Sequence, residues 1–213
     1  RPQADSERAG FDSREILRNM GAAFGEFFRK KGFLSILAFV LFYRFAEAQL
    51  LKIVQPFLNA ARDCGGLGIS LENIGWIYGT AAPVALLGGG IVGGLFVAKA
   101  GLKKAIWPMA LAMNLPNAIY VYLAYVKPQS LLEVSGLLCA EQFGYGLGFA
   151  GYMVYLMKAA AGKNRTSTYA IFTSFMALGI ILPGFYSGEI QQKLGYCGFF
   201  EWVLLCTLVS FFV

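Results

Sequence analysis

Residues 33–60 read FLSILAFVLFYRFAEAQLLKIVQPFLNA. The run exceeds the roughly 20 apolar residues that a helix needs to cross a bilayer, yet Arg44, Glu47 and Lys52 lie inside it. A charge at that depth costs a few kcal/mol or more, and it persists where it faces a protein interior or a wet cavity. The stretch predicts a membrane-spanning helix that lines a polar path, and with it transport.

The whole chain agrees with that reading. Its 213 residues are 57% hydrophobic and 14% charged, against about 25% charged in a soluble domain, and its mean hydropathy is +0.58. A net charge of +6 would suggest nucleic acid in a soluble protein. In a chain this apolar, the basic residues read as the cytoplasmic loops of a membrane protein, so lipid is the expected partner and nucleic acid is not. The sequence has no histidine, which removes His-based general bases, Ser-His-Asp triads and His-ligated zinc. Cys64, Cys139, Cys197 and Cys206 show no metal-binding spacing. Cys64 and Cys197 fall toward one membrane face and could pair, or all four could serve as small apolar fillers. No nucleophile–base arrangement stands out, so neither an enzyme nor a cofactor is expected.

Residues 12–31 place Ile16, Leu17, Met20, Phe24, Phe27 and Phe28 at three- and four-residue steps, with Arg14, Arg18, Glu26 and Arg29 between them. This predicts an amphipathic helix ending in Arg29, Lys30 and Lys31, suited to the inner membrane face, where basic clusters meet anionic lipid. Six spanning candidates follow, at residues 33–60, 74–97, 105–125, 131–158, 168–190 and from 199 onward. The last stops at Val213 within an apolar run, and the opening residues are polar, so the chain reads as a piece of a longer protein: a cytoplasmic linker over 1–31 and a six-helix membrane unit over 32–213. With the amino terminus inside, Arg1, Arg8, Arg14, Arg18, Arg29, Lys30, Lys31, Lys99, Lys103, Lys104, Lys158, Lys163 and Arg165 lie inside, and only Arg62, Lys127 and Lys193 outside. Thirteen against three favours that orientation.

Glycines are concentrated in two spans: Gly75, Gly79, Gly88, Gly89, Gly90, Gly93 and Gly94 in the second, and Gly144, Gly146, Gly148 and Gly151 in the fourth. Small-xxx-small pairs such as Gly89/Gly93, Gly90/Gly94 and Gly144/Gly148 let helix backbones approach closely, for tight static packing or for helices that slide. Pro56, Pro83, Pro116 and Pro183 are candidate kinks.

On the first span, an advance of about 100° per residue from Arg44 puts Glu47 at about −60°, Gln55 at about +20° and Lys52 at about +80°. The four share one arc and can line one cavity. Arg44 and Glu47 form an i, i+3 pair that can neutralise itself, and Lys52 could instead snorkel to the outer interface. The fourth span adds Glu141 and Gln142, with Tyr145 one turn beyond Glu141 on the same face. A buried carboxyl group can exchange a proton, so Glu141 is a proton-carrier candidate, or a partner for Arg44 or Lys52 across the bundle.

Two stretches carry a resemblance. Gly94-Leu-Phe-Val-Ala98-Lys99-Ala-Gly101-Leu-Lys103-Lys104 resembles the loop signature of the major facilitator superfamily, G-x-x-x-D-[RK]-x-G-[RK]-[RK]. Gly94, Lys99, Gly101 and Lys103 fit, with Lys104 beside them. Ala98 stands where the signature has an acid, so the loop's gating salt bridge lacks that partner. The run from Glu141 through Gly148, then GYMVYLMKAAAGKNRTSTYAIFTSFMALG, resembles the muropeptide permeases (AmpG-like) of that superfamily. Pro183-Gly184, Gly195-Tyr196, Phe199-Phe200, and Tyr43-Arg44 followed by Glu47 and Pro56-Phe57 fit as well. The resemblance covers roughly residues 33–213.

It implies an all-α fold: the carboxy-terminal six-helix half of a twelve-helix transporter, with the amino-terminal half as its missing partner, in the bacterial inner membrane. It further implies proton-coupled import of anhydro-muropeptides by alternating access. Under it, Arg44 and Lys52 bind substrate carboxylates, and Glu47 or Glu141 takes the coupling proton. Gln55, Gln142 and Tyr145 hydrogen-bond sugar or peptide. Gly94, Lys99, Gly101, Lys103 and Lys104 form the gating loop. A carrier of another anionic solute (a nucleotide or acyl-coenzyme A) is the rival within transport. A non-transporting membrane sensor is the rival outside it, supported by the degenerate loop at Ala98.

Overall fold

The computed structural model describes Gly21, Gly25, Phe28 and residues 32–162 and 165–212. Apart from those three isolated positions, the amphipathic helix expected over residues 12–31 lies outside the described residues, as does Lys163.

The described chain is built of helices joined by short turns. The first apolar run gives α1 (Phe33–Phe42) and α2 (Phe45–Asn59). No proline separates them; the interruption sits at Tyr43 and Arg44, where Arg44 has φ −107° and ψ 19°. The chain leaves α2 just beyond Pro56 and passes through a 3-10 turn at Arg62–Cys64. Ser70 then caps α3 (Leu71–Trp76), its hydroxyl accepting from the Asn73 backbone N–H. A widened π turn (Ile77–Ala81) runs straight into α4 (Ala82–Ala100), which takes Pro83 into its first turn, where a missing N–H costs little. Gly101 alone joins α4 to α5 (Leu102–Asn114); its φ of 77° is a conformation that suits glycine and few others. Pro116 lies in a 3-10 turn (Leu115–Asn117) that bends α5 into α6 (Ala118–Val126). Ser130 caps α7 (Leu131–Ala159), and α8 (Arg165–Phe212) breaks once, at Gly195, where φ 68° and ψ 178° are non-helical.

Among the described residues, four helical segments are long and apolar enough to cross a membrane: Phe33–Asn59, Leu71–Ala100, Leu102–Val126 and Arg165–Phe212. The first three match the first three expected spans to within a few residues, and the last holds the fifth and sixth expected spans as two helices that meet at the non-helical Gly195. At 29 residues α7 is long enough, but it is not among the four. Its Glu133, Glu141, Gln142 and run of glycines dilute the apolar character of the helix. Lipid-type surface is plain on α4, which turns Val84, Leu87, Ile91 and Leu95 outward, each more than half exposed. A soluble monomer rarely shows such a continuous apolar face.

α7 is the centre of the packing, flanked by α4 and α5, while α8 packs against α2 and α1. Glycines set the first of these seams. A Cβ on Gly89 would lie 2.0 Å from the Phe143 carbonyl oxygen, and one on Gly146 2.1 Å from that of Leu86. On its other side α7 meets α5 through Gly144 and Gly148, where a Cβ would strike the Ala112 carbonyl oxygen and the Met113 side chain. The Gly90/Gly94 pair behaves differently: Gly94 has open space around it, and Gly90 makes only ordinary contact.

Two larger apolar cores result, beside a small third cluster of Val97, Leu102, Ala105 and Met109. One gathers Phe57, Leu58, Leu123, Leu138, Phe199 and Phe200; the other gathers Phe39, Tyr43, Tyr152, Leu156 and Phe172. Along α7, Leu138 belongs to the first and Tyr152 to the second; along the first span, Leu50 and Tyr43 do so in turn. Residues 44–47 and 141–145 therefore fall in a layer between the two cores. All four cysteines are free thiols.

Candidate functional site: a polar layer between two apolar cores

The interruption between α1 and α2 is what presents Arg44. Its Nε donates to Glu47 Oε2 at 2.6 Å and its Nη2 to Glu47 Oε1 at 2.9 Å, a two-pronged pair with both residues about 5% exposed. The same Nη2 donates to the Tyr145 hydroxyl at 2.6 Å. The guanidinium carbon also lies 5.1 Å from the Phe149 ring centre and 5.4 Å from that of Tyr145, within cation–π range. Tyr43 and Tyr152 stack below with rings 5.1 Å apart and 1° from parallel. Tyr152 donates to the Val40 carbonyl, a group near the end of α1. Charge, hydrogen bonds and aromatic faces together meet the needs of a buried cation.

Glu141 is held by neutral groups. Tyr120 donates to its Oε2 at 3.0 Å and the Gln142 amide to the same oxygen at 2.9 Å. Glu141 meets no cation among the described residues: Arg44 has Glu47, and Lys52 is exposed on another face of α2, its aliphatic stem against Gly184 of α8. A cross-bundle pairing of Glu141 with either cation is not formed.

A cavity of about 190 Å³ lies between these groups, lined by Glu47, Gln55, Tyr78, Glu141, Gln142 and Tyr145 with an apolar wall from Leu50, Leu51 and Val54. It brings together five of the seven residues expected to share a cavity. Arg44 stands behind Glu47 and Tyr145 rather than on the wall. Lys52 is not among the lining residues: at about 140° from Glu47 around the helix, it has turned onto the face that meets α8. The expected gating residues lie away from the cavity, at the α4–α5 turn, where Lys99, Lys103 and Lys104 are exposed.

Three participants were not singled out in the sequence: Tyr120, Tyr78 and Phe149. Tyr120 and Tyr78 come from helices whose apolar runs hide a tyrosine's second nature as a donor. Phe149 lies one turn beyond Tyr145, and that i, i+4 spacing was the available signal. Gln49, accepting from the Trp202 indole N–H at 2.9 Å, is a further buried polar tie, between α2 and α8.

No family model matches the chain. An uncharacterised protein of Haemophilus influenzae is 24% identical over 192 residues, spanning 86% of this chain and 44% of that protein. A Rickettsia conorii protein named "Putative transporter AmpG 4" is 25% identical over 190 residues, 89% of this chain and 44% of its own length. A Rickettsia typhi protein named AmpG 2 of the same series is 23% identical over 190 residues, 89% and 45% respectively. The chain spans less than half the length of these relatives. Similarity to transporters over most of the chain, together with the apolar helices, supports a multi-pass membrane transporter.

Proposed function

We propose that this chain is one six-helix half of a major facilitator transporter that imports anhydro-muropeptides with protons across the bacterial inner membrane, its amino-terminal end cytoplasmic. The count of six takes α1–α2, α3–α4, α5–α6, α7 and the two limbs of α8 on either side of Gly195. Residues 1–31 would be the linker from the other half. The names and coverage of the relatives support the family, and the excess of cations at one end of the bundle supports the orientation.

The observation that carries the reading is the Arg44–Glu47–Tyr145 cluster beside a cavity that also holds Glu141. Arg44 is a fork suited to a carboxylate, and Glu47 occupies it. A proton on Glu47 would weaken that pair and free Arg44 for a carboxylate of the substrate, so that proton and substrate enter together. Glu141 is the second proton site, with Tyr120 and Gln142 as its donors. Gln55, Gln142 and Tyr145 supply hydrogen bonds to sugar or peptide. Lys52 has no part in this mechanism. A cavity of about 190 Å³ is small against the roughly 300–1,000 Å³ of typical ligand sites, as expected if the other half supplies the facing wall.

The test is uptake of a disaccharide anhydro-muropeptide into vesicles containing the full-length parent, with and without an inward proton gradient. Glu47→Gln and Glu141→Gln are run separately. Loss of uphill uptake in at least one variant, with gradient-free exchange retained, is the expected outcome. Uphill uptake intact in both would end the proton-carrier assignment.

A further inference from the structure

A second, larger cavity runs from Tyr43, beneath the polar layer, toward the α4–α5 turn. It is a groove of about 470 Å³ walled by Phe39, Ile106, Trp107, Tyr155 and Phe211, with Lys103 and Lys158 at its rim. The Trp107 and Phe211 rings stack 6.4 Å apart and 6° from parallel, and Trp107 stays 59% exposed.

The electrostatics of this rim are lopsided. α5 starts here with no side-chain cap and no acid in its first turn. Lys103 and Lys104 stand there instead, at the positive end of the helix dipole, where an anion is favoured and a cation is not. The charged residues described at this end of the bundle are Lys99, Lys103, Lys104, Lys158 and Arg165, all cations. The described carboxylates lie elsewhere: Glu47 and Glu141 in the central layer, and Asp63, Glu72, Glu133, Glu189 and Glu201 toward the opposite end.

We infer that this groove binds an anionic phospholipid, with its phosphate between Lys103 and Lys158 and an acyl chain along the aromatic wall. The charge of the rim selects the occupant. The chain's own preceding segment, residues 1–31, holds seven cations against five carboxylates and ends in Arg29, Lys30 and Lys31, so its net sign matches that of the rim and it suits the site poorly. A basic pocket between spanning helices is a known form of headgroup recognition.

Bromine on an acyl chain quenches tryptophan on contact, and Trp107 forms part of the wall. The chain is placed in phosphatidylcholine vesicles that contain, as a minor component, either brominated phosphatidylglycerol or brominated phosphatidylcholine. A Trp107→Phe variant removes the contributions of Trp76 and Trp202 by subtraction. The glycerol lipid is expected to quench Trp107 preferentially, each lysine contributing about a fivefold preference. Lys103→Gln with Lys158→Gln should abolish that preference, and Lys103→Arg with Lys158→Arg should keep it. Equal quenching by the two lipids, as from a groove covered by protein or filled by any lipid, would overturn the inference. So would a preference that survives the glutamine pair, is lost in the arginine pair, or persists in Trp107→Phe.

Discussion

Arg44 sits where a cation is tolerated only as part of a set. Its three hydrogen bonds go to Glu47 and Tyr145, and removal of one member leaves the others without partners. Arg44→Ala should destabilise the chain by about 3–5 kcal/mol, because it strands a buried carboxylate. Arg44→Met combined with Glu47→Leu should recover most of that loss while leaving any substrate binding absent. Thermal unfolding in detergent checks both, and a double variant no more stable than Arg44→Ala would refute the account. Tyr145→Phe removes one charge-assisted bond and should cost about 1.5–3 kcal/mol on the same measurement. The Arg44–Glu47 pair and the Glu141–Tyr145 face were legible in the sequence because each depends only on a short spacing along the chain. The interruption at Tyr43 and Arg44 was not: no glycine or proline marks it, and the contacts made there, Tyr43 on Tyr152 and Arg44 to Tyr145, are with a helix distant in sequence. Tyr120 under Glu141 was equally hidden, since the contact depends on how α6 meets α7.

Among the elements, the α4–α7 seam is the most demanding, with backbone lying directly on backbone. Gly89→Ala would place a methyl group 2.0 Å from a carbonyl oxygen, and the helices would have to separate. A loss of about 1–3 kcal/mol or more is expected. Gly94→Ala, with nothing within 4 Å, should stay within about 0.5 kcal/mol of the parent. Thermal unfolding of the two variants side by side decides whether the seam is as close as described; equal stabilities would argue against it. The glycine pattern was readable, but which pair was structural was not, because all the pairs share the same spacing and only the neighbour's position separates Gly89/Gly93 from Gly90/Gly94. Gly195 has a sharper requirement. At φ 68° and ψ 178° a side chain costs roughly 1–3 kcal/mol, so Gly195→Ala should weaken the join between the two limbs of α8 and lower the melting temperature even though nothing lies within 4 Å of its Cβ position.

For the molecule as a whole, the cavity of the polar layer, about 190 Å³, is small against typical ligand sites. The chain reconstituted by itself is therefore expected to give no gradient-driven muropeptide uptake, and uptake is expected to appear when the remainder of the parent is present; vesicles of the chain alone that accumulate substrate would overturn the two-half reading. The membrane character of the molecule was plain from composition, and span positions followed from runs of apolar residues. The closeness of the last two spans was less visible: Gln191, Gln192 and Lys193 read as a loop, yet they are helical, and the two helices meet at the single non-helical residue Gly195.

The pairing of Arg44 with Glu47 also bears on biogenesis. Both partners belong to the same stretch of chain, three residues apart, so the pair can close once the first turn of α2 has formed. The pair would then enter the bilayer net-neutral during synthesis, without waiting for a later helix to supply a counter-charge, and Lys52 would carry the segment's remaining charge. Glu141 has no such self-sufficiency, since Tyr120 must already be in place. The order of the chain from amino to carboxy end meets that need, with the donor translated before the acceptor.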